Sequence, residues 1–197
     1  MTRSNLSSLL PLLLFGLPAL ASQAPELTSL GALRGRVLDA EGKPVAGARV
    51  ATVPYQANAL SDGERAAMSA RSGKDGSFTF RGLPPGTYGV TVTHRREASA
   101  YRGKVEVKAG GVLDLEPLAL GRDGGRVSGR IEGAPASALK GQTLRLIRVS
   151  NDNGDVFHVD LTGDRFEAFM APGDYQVAFD PKGYFHEAWT LKVPGPT

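Results

Sequence analysis

The chain has 197 residues, contains no cysteine and carries a formal net charge of +3. The absence of cysteine excludes a disulfide framework, a cysteine nucleophile, a thiolate metal site and lipid attachment through an N-terminal cysteine. The small charge gives no reason to expect nucleic acid as a partner. With 25 glycines, 13 prolines and 41% hydrophobic residues, the composition predicts a folded all-β protein with many turns.

The first residues have the features of a secretory signal. Arg3 precedes an apolar run at residues 6–17, and Ala19-Leu20-Ala21 fits the small-residue rule for cleavage. The run is shorter than the roughly 20 residues that a membrane-spanning helix needs. We therefore predict a signal peptide at residues 1–21 and a flexible leader at 22–31, with the mature protein secreted or periplasmic and without a membrane span.

Alternating residues then predict two half-buried antiparallel strands, separated by a turn at residues 39–44. An insertion at residues 54–71 follows. Ser61 and Glu64 in it have the spacing of a capping box, which predicts one or two helical turns. An insertion of this length in a β domain favours a binding or decorating loop.

The strongest local pattern is a hairpin at residues 75–92, with a turn at Asp75-Gly76 and a Pro-Gly reversal at its centre. A polar connection at residues 94–102 leads to further short strands at 105–107 and 112–120. Pro117 is expected to shift the register of the last strand. The glycine-rich residues 121–125 are the best candidate for a domain linker.

The second half of the chain repeats the first. Gly129-Arg130-Ile131 corresponds to Gly35-Arg36-Val37, and Phe166 corresponds to Phe78. Further matches link Gly173, Tyr175 and Val177 to Gly86, Tyr88 and Val90, and Leu191 and Val193 to Val105 and Val107. A shared offset that changes only at loops is typical of tandem copies. We predict one domain at residues 32–121, a linker at 122–125 and a second, shortened copy at 126–197.

The second copy has no counterpart of residues 112–120, so its sheet is expected to lack a last strand and to have an open edge. An open edge can pair with another strand, from this chain or from a partner protein. Trp189, Leu191 and Val193 are the candidate edge-strand interface. Because the three alternate in phase, Trp189 is also predicted to lie in the core.

Several turn motifs occur together in the first copy: Gly42-Lys43-Pro44-Val45-Ala46-Gly47-Ala48, Lys74-Asp75-Gly76-Ser77-Phe78 and Gly82-Leu83-Pro84-Pro85-Gly86-Thr87-Tyr88. In this order they resemble the carboxypeptidase regulatory-like domain, a transthyretin-like (prealbumin-like) fold related to Cna protein B-type repeats. The resemblance implies two tandem Greek-key β-sandwiches, used as accessory modules and described as a carbohydrate-binding-like fold. Cna protein B-type repeats often carry an intramolecular Lys–Asn crosslink, but the sequence departs from that pattern because its first strands carry Arg34 and Arg130, and no crosslink is predicted.

Two motifs suggest metal binding and are better explained otherwise. His94 and Glu97 have the His-x-x-Glu spacing of zinc carboxypeptidases, with His186 as a distant third ligand, but that enzyme needs a larger α/β domain. Residues 151–155 resemble the start of a calcium loop, yet its twelfth position is Thr162 and no bidentate glutamate follows. Asn153-Gly154 favours a hairpin turn instead. We therefore predict no metal, no cofactor and no catalytic residues.

Aromatic residues are the remaining binding signal. Tyr55, Tyr101 and Tyr184 are the candidate contacts for a ligand or partner, because aromatic faces serve both sugar stacking and protein hot spots. The sequence therefore predicts a non-catalytic module for protein interaction or structural scaffolding. The alternative is a carbohydrate-binding module that uses these loop tyrosines.

Overall fold

The computed structural model describes residues 30–54, 69–149, 155–179 and 187–195 of the chain. These ranges form fourteen strands and one short helix, so the all-β prediction is confirmed. The strands are β1 (Gly31–Leu38), β2 (Arg49–Pro54), β3 (Ser69–Arg71), β4 (Ser77–Leu83), β5 (Gly86–Thr93), β6 (Ala100–Val107), β7 (Val112–Asp114), β8 (Leu118–Ala119), β9 (Gly125–Arg130), β10 (Thr143–Arg148), β11 (Val156–Thr162), β12 (Arg165–Met170), β13 (Gly173–Phe179) and β14 (Glu187–Val193), with helix α1 at Ala136–Leu139.

The first sandwich comprises β1 to β8. One of its sheets has the order β4-β1-β7, with β8 also pairing with β1, and the other has the order β3-β2-β5-β6. Alternate residues of these strands point inward, as a period of two requires. The two sheets enclose a core that includes Leu33, Val37, Val50, Phe78, Tyr88, Val90 and Leu120.

Strands β7 and β8 are both parallel to β1. The Ala32 amide donates to the Gly111 carbonyl at 2.8 Å, and the Leu115 amide donates to the Arg34 carbonyl at 2.8 Å. Pro117 separates the two short strands, because proline has no amide hydrogen for the ladder. The pairs Arg34–Asp114 and Val37–Leu118 differ by one residue in register, so the predicted register shift of this last strand is confirmed.

The second sandwich comprises β9 to β14 and is one continuous sheet of order β14-β13-β10-β11-β12-β9. Strands β11 and β12 are joined through only two residue pairs. The sheet is curled, so that the strands at its two ends approach each other. A Cβ placed on Gly125 of β9 would lie 2.9 Å from Val193 of β14. The curled sheet encloses a core that includes Val127, Leu144, Leu146, Phe157, Met170 and Tyr175.

The two sandwiches agree in local detail, as the repeat alignment requires. The Tyr88 hydroxyl donates to the Pro84 carbonyl at 2.7 Å, and the Tyr175 hydroxyl donates to the Ala171 carbonyl at 2.8 Å. Gly35 is paired with Phe78 in the first sandwich, and Gly129 is paired with Phe166 in the second. At both glycines an added Cβ would lie within 3.0 Å of the phenyl ring. The prediction of two tandem copies of one fold is confirmed.

Three expectations are wrong or incomplete. Trp189 is not in the core: it pairs with Val177 and is in phase with Val193, but its side chain is 48% exposed. The end of the insertion forms strand β3, which pairs with β2. Strand β6 begins at Ala100, so part of the expected polar connection is a strand.

Other predictions fall outside the described residues. These are the signal peptide and nearly all of the leader, the capping box of the insertion, Tyr55, Tyr184, His186 and the turn at Asn153-Gly154. The domain boundaries stay predictions. Within the described ranges, no helix is long and apolar enough to cross a membrane.

Candidate functional site: a basic cleft and an open strand edge

The two sandwiches contact each other through the outer face of β5 and the strand β11. The Thr91 hydroxyl donates to the Val156 carbonyl at 3.0 Å, and the Thr93 hydroxyl donates to the His158 carbonyl at 2.9 Å. Both threonines are buried, although they point away from the core of their own sandwich. Alternate β-branched residues on this outer face therefore form an interface where the sequence alone indicates a solvated surface.

The connection between β5 and β6 forms the second contact. The Phe169 amide donates to the His94 carbonyl at 3.1 Å, and the Ser99 amide donates to the Phe169 carbonyl at 3.2 Å. The Ser99 hydroxyl accepts the Ala171 amide at 3.1 Å. This segment was expected to be a polar connection, and the structure instead places it in the joint between the sandwiches.

The linker is also part of this joint. Gly121 exchanges two backbone hydrogen bonds with Ala98, at 2.9 and 3.2 Å. A Cβ on Gly124 would lie 2.4 Å from the Met170 carbonyl oxygen, so no larger residue fits there. The glycines of residues 121–125 thus permit close packing of the backbone.

A cleft of about 930 Å³ lies between the two sandwiches, next to this joint. Its lining includes two carboxylates, those of Asp160 and Glu167, and six arginines. The arginines are Arg49, Arg71, Arg95, Arg126, Arg130 and Arg165. Because guanidinium groups stay charged at all ordinary pH values, the cleft carries a clear excess of positive charge.

The carboxylate of Asp160 binds two of the arginines in the cleft. Both Arg49 and Arg71 form ion pairs with Asp160, which joins two strands of the first sandwich to β11 of the second. The Arg49 side chain is only 19% exposed, and its Nε has no hydrogen-bond partner among the described residues. Burial lowers the pKa of Arg49, although Asp160 opposes that shift. Asp160 is therefore the counter-ion of a largely buried cation.

The outer arginines are less constrained. Arg126 lies 3.3 Å from Glu167, and both side chains are well exposed. Arg130 forms an ion pair with Asp164 at the β11–β12 turn. Among the described residues, neither Arg95 nor Arg165 forms an ion pair with a carboxylate, and Arg95 has only a 3.5 Å contact with Thr162. Several guanidinium groups are thus available for an anionic ligand.

Strand β9, which lines this cleft, is also the open edge of the second sandwich. It corresponds to β1, and β1 pairs with β4 on one side and with β7 and β8 on the other. β9 pairs with β12 on one side, and no other strand in the described part of the chain lies along its second side. Among the described residues, no strand lies beside β9 at the position that β7 and β8 occupy beside β1, so the open edge is β9.

The sequence-predicted site residues that the structure describes, Tyr101, Trp189, Leu191 and Val193, do not line the cleft. Tyr101 packs against the core of the second sandwich. Leu191 is half-buried, Val193 is buried in the core, and both belong to β14, the edge strand at the opposite end of the sheet order. Their roles as ligand or partner contacts stay predictions.

The metal motif considered at His94 receives no support. The residues that the structure describes contain no group of three or more potential ligands among histidine, aspartate and glutamate. Burial lowers the pKa of His94, an effect that Glu97 opposes and that Arg96 and Arg95 increase. Burial thus favours the neutral imidazole of His94, which lies on the wall of the basic cleft.

Sequence comparison finds a known family that the first sandwich is similar to. Residues 32–120 match the family model of the carboxypeptidase regulatory-like domain. The first sandwich is thus similar to a carboxypeptidase regulatory-like domain. The match covers slightly less than half of the chain, and no curated protein matches the sequence. In this first sandwich the position beside β1 is filled by the chain's own β7 and β8.

Solved structures with a similar arrangement include the Bacillus anthracis TIE protein, with 17% identity, 83% of this chain covered and a TM-score of 0.36. A streptococcal ancillary pilin has 13% identity, 83% coverage and a TM-score of 0.34. A Pseudomonas aeruginosa protein, named as a candidate carbohydrate-binding protein, has 19% identity over 49% of this chain and 92% of its own length, with a TM-score of 0.32. The chain spans 31% of the TIE protein and 59% of the pilin, and these values carry no information about what it binds.

The cleft was not predicted from the sequence. Its arginines lie at outward-facing strand positions, except for Arg95 in the connection between β5 and β6. Such positions in an isolated sandwich are solvated. Arg126 and Arg130 alternate with the core residues Val127 and Ile131, which is the only sequence signal that could have indicated a basic face. That the face is opposed by a second sandwich depends on the threonine contacts of β5, which no local pattern reveals.

Proposed function

We propose that the chain is an exported, non-catalytic binding module that pairs an extended segment of a partner protein with strand β9. The observation that supports this proposal is the difference between β1 and β9. The outward backbone groups of β1 bond to a parallel strand, as in the pairs Ala32–Gly111 and Arg34–Leu115. The corresponding residues of β9 are Arg126 and Ser128, and the described residues place no strand beside them.

Pairing at a sheet edge supplies main-chain hydrogen bonds without needing a preformed pocket. It also removes the unpaired donors and acceptors that make an open edge prone to aggregation. The first sandwich shows that this fold accepts a parallel strand at that position. The partner segment is therefore expected to run parallel to β9.

The chain itself offers a probe for this edge, namely a synthetic peptide of residues 110–120, which contains β7 and β8. We expect the peptide, in excess, to protect the amides of Arg126, Ser128 and Arg130 from hydrogen exchange in the purified protein. Exchange at the amides of β1 should not change, because that edge is already filled. Unchanged exchange along β9 at millimolar peptide would contradict the proposal.

The matched variant is Ser128→Pro. By analogy with Arg34, the Ser128 amide faces outward, so proline removes one donor of the edge and leaves the β12 ladder intact. Ser128→Ala keeps the amide and serves as control. Peptide binding is expected to be lost in the first variant and kept in the second. Export is tested separately by mass spectrometry of the secreted protein, whose expected first residue is Ser22.

A further inference from the structure

We infer that the segment bound by β9 alternates apolar and acidic residues, and that its carboxylates bind the arginines of the cleft. The inference rests on the proposed strand pairing, which sets the position of the segment. It adds the chemistry of the partner, namely an acidic polypeptide strand.

The first sandwich provides an internal example of such a strand. Residues 113–116 read Leu-Asp-Leu-Glu, so apolar and acidic side chains alternate. Leu113 and Leu115 pack against the core, whereas the Asp114 carboxylate accepts a 2.9 Å hydrogen bond from Arg34 of β1. Glu116 lies 3.3 Å from Arg102. The strand that fills the position beside β1 therefore has one apolar face and one acidic face.

The second sandwich has room for the apolar face. Phe78 in the first sandwich is buried, and the Leu115 Cβ lies 3.4 Å from the position of a Cβ on its partner Gly35. The equivalent Phe166 is only half-buried, and both it and its partner Gly129 line the cleft. An apolar side chain from an added strand would pack beside Gly129 and Phe166, as Leu115 packs against the core beside Gly35.

The second sandwich also has a basic outer face. Arg126, Ser128 and Arg130 lie at the positions of Ala32, Arg34 and Arg36. Arg165 of β12 pairs with Arg130 across the sheet. Alternate residues of a strand are roughly 7 Å apart, so acidic residues at every second position would face Arg126, Ser128 and Arg130 in turn. Arginine favours carboxylates because its planar group can donate two parallel hydrogen bonds.

The test compares two peptides on the purified protein by titration calorimetry and NMR. One is the peptide of residues 110–120, and the other carries Asn at Asp114 and Gln at Glu116. We expect the neutral peptide to bind about five- to tenfold more weakly, since each partly exposed ion pair contributes modestly. Raising the salt concentration should weaken binding of the acidic peptide and leave the neutral one nearly unchanged.

The protein variants separate charge from strand pairing. The double substitution Arg126→Gln and Arg165→Gln should remove the advantage of the acidic peptide and keep binding of the neutral one. Arg81→Gln, at an exposed position of β4 outside the cleft, is the matched control and should change nothing. Neither Arg126 nor Arg165 contributes to a core, so both variants are expected to fold.

Each outcome decides between the two proposals. Equal affinity of the two peptides would overturn the inference and leave strand pairing in place. Loss of binding of both peptides in the unaltered protein would overturn both. Polygalacturonate, an acidic polysaccharide, is the third ligand. If its affinity for the cleft equals that of the acidic peptide, and if Ser128→Pro weakens binding of neither ligand, the site recognises polyanions rather than a strand. The inference would then be wrong.

Discussion

Arg49 of the first sandwich forms an ion pair with Asp160 of the second, and Arg71 binds the same carboxylate. The two arginines differ in environment, since the Arg49 side chain is largely buried and the Arg71 side chain is 59% exposed. The charge of Arg49 therefore depends on Asp160 for compensation, whereas water can solvate the charge of Arg71.

Substitution of Asp160 by alanine is expected to destabilise the protein by about 1–3 kcal/mol, because it leaves the Arg49 charge buried without a counter-ion. Arg71→Ala should cost at most about 0.5 kcal/mol, as is usual for an exposed pair. Urea unfolding followed by circular dichroism measures both. Asp114→Ala, which breaks an exposed pair with Arg34, is the control. A loss for Asp160→Ala no larger than for Asp114→Ala would show that burial of Arg49 does not matter.

Gly129 of β9 is expected to be essential for packing against Phe166. A Cβ on Gly129 would lie 2.6 Å from the Phe166 ring, so Gly129→Ala should cost roughly 1–3 kcal/mol through overpacking. Combining it with Phe166→Leu should recover part of that loss, and a double-mutant cycle in urea would measure the coupling. Gly195→Ala, where no atom lies within 4 Å, should be neutral. Additive costs for Gly129→Ala and Phe166→Leu would contradict the contact.

The contact between the sandwiches can be tested through one hydroxyl. Thr93→Val keeps the shape of the side chain and removes the donor of the hydrogen bond to the His158 carbonyl. We expect a loss of about 1 kcal/mol. Thr87→Val, at an exposed position of the same strand, should change stability by less than about 0.5 kcal/mol. Equal effects of the two substitutions would argue against the interface.

Stability is expected to fall on mild acidification. The pKa of His94 is lowered in the folded state, so the unfolded chain takes up a proton first as pH falls through the ordinary histidine range. The loss begins near the ordinary pKa of about 6.5 and is complete below the folded pKa. Urea midpoints at pH 7.5 and 5.5 should differ less in His94→Gln than in the unaltered protein. An identical difference in both proteins would exclude His94 as the cause.

The architecture was predictable because it rests on local patterns. The Asp75-Gly76 turn, the Pro-Gly reversal before Tyr88 and their counterparts before Tyr175 specify the hairpins directly. Trp189 shows the limit of such reasoning. It lies in the same alternating phase as the core residue Val193, but phase alone does not predict how much of a side chain on an edge strand is covered. The joint and the cleft depend on how two finished sandwiches meet. That meeting is decided by outward-facing threonines and arginines, whose pattern alone is that of any solvated face.

All the permanent cations in the wall of the cleft are arginines. Guanidinium groups keep their protons well beyond neutral pH, so no physiological change of acidity can switch this positive charge off. The carboxylates of an acidic partner, in contrast, lose their charge near pH 4. Any acid-triggered release would therefore be a property of the ligand. At one pH the same cleft could retain one partner and release another, according to the pKa values of their carboxylates alone.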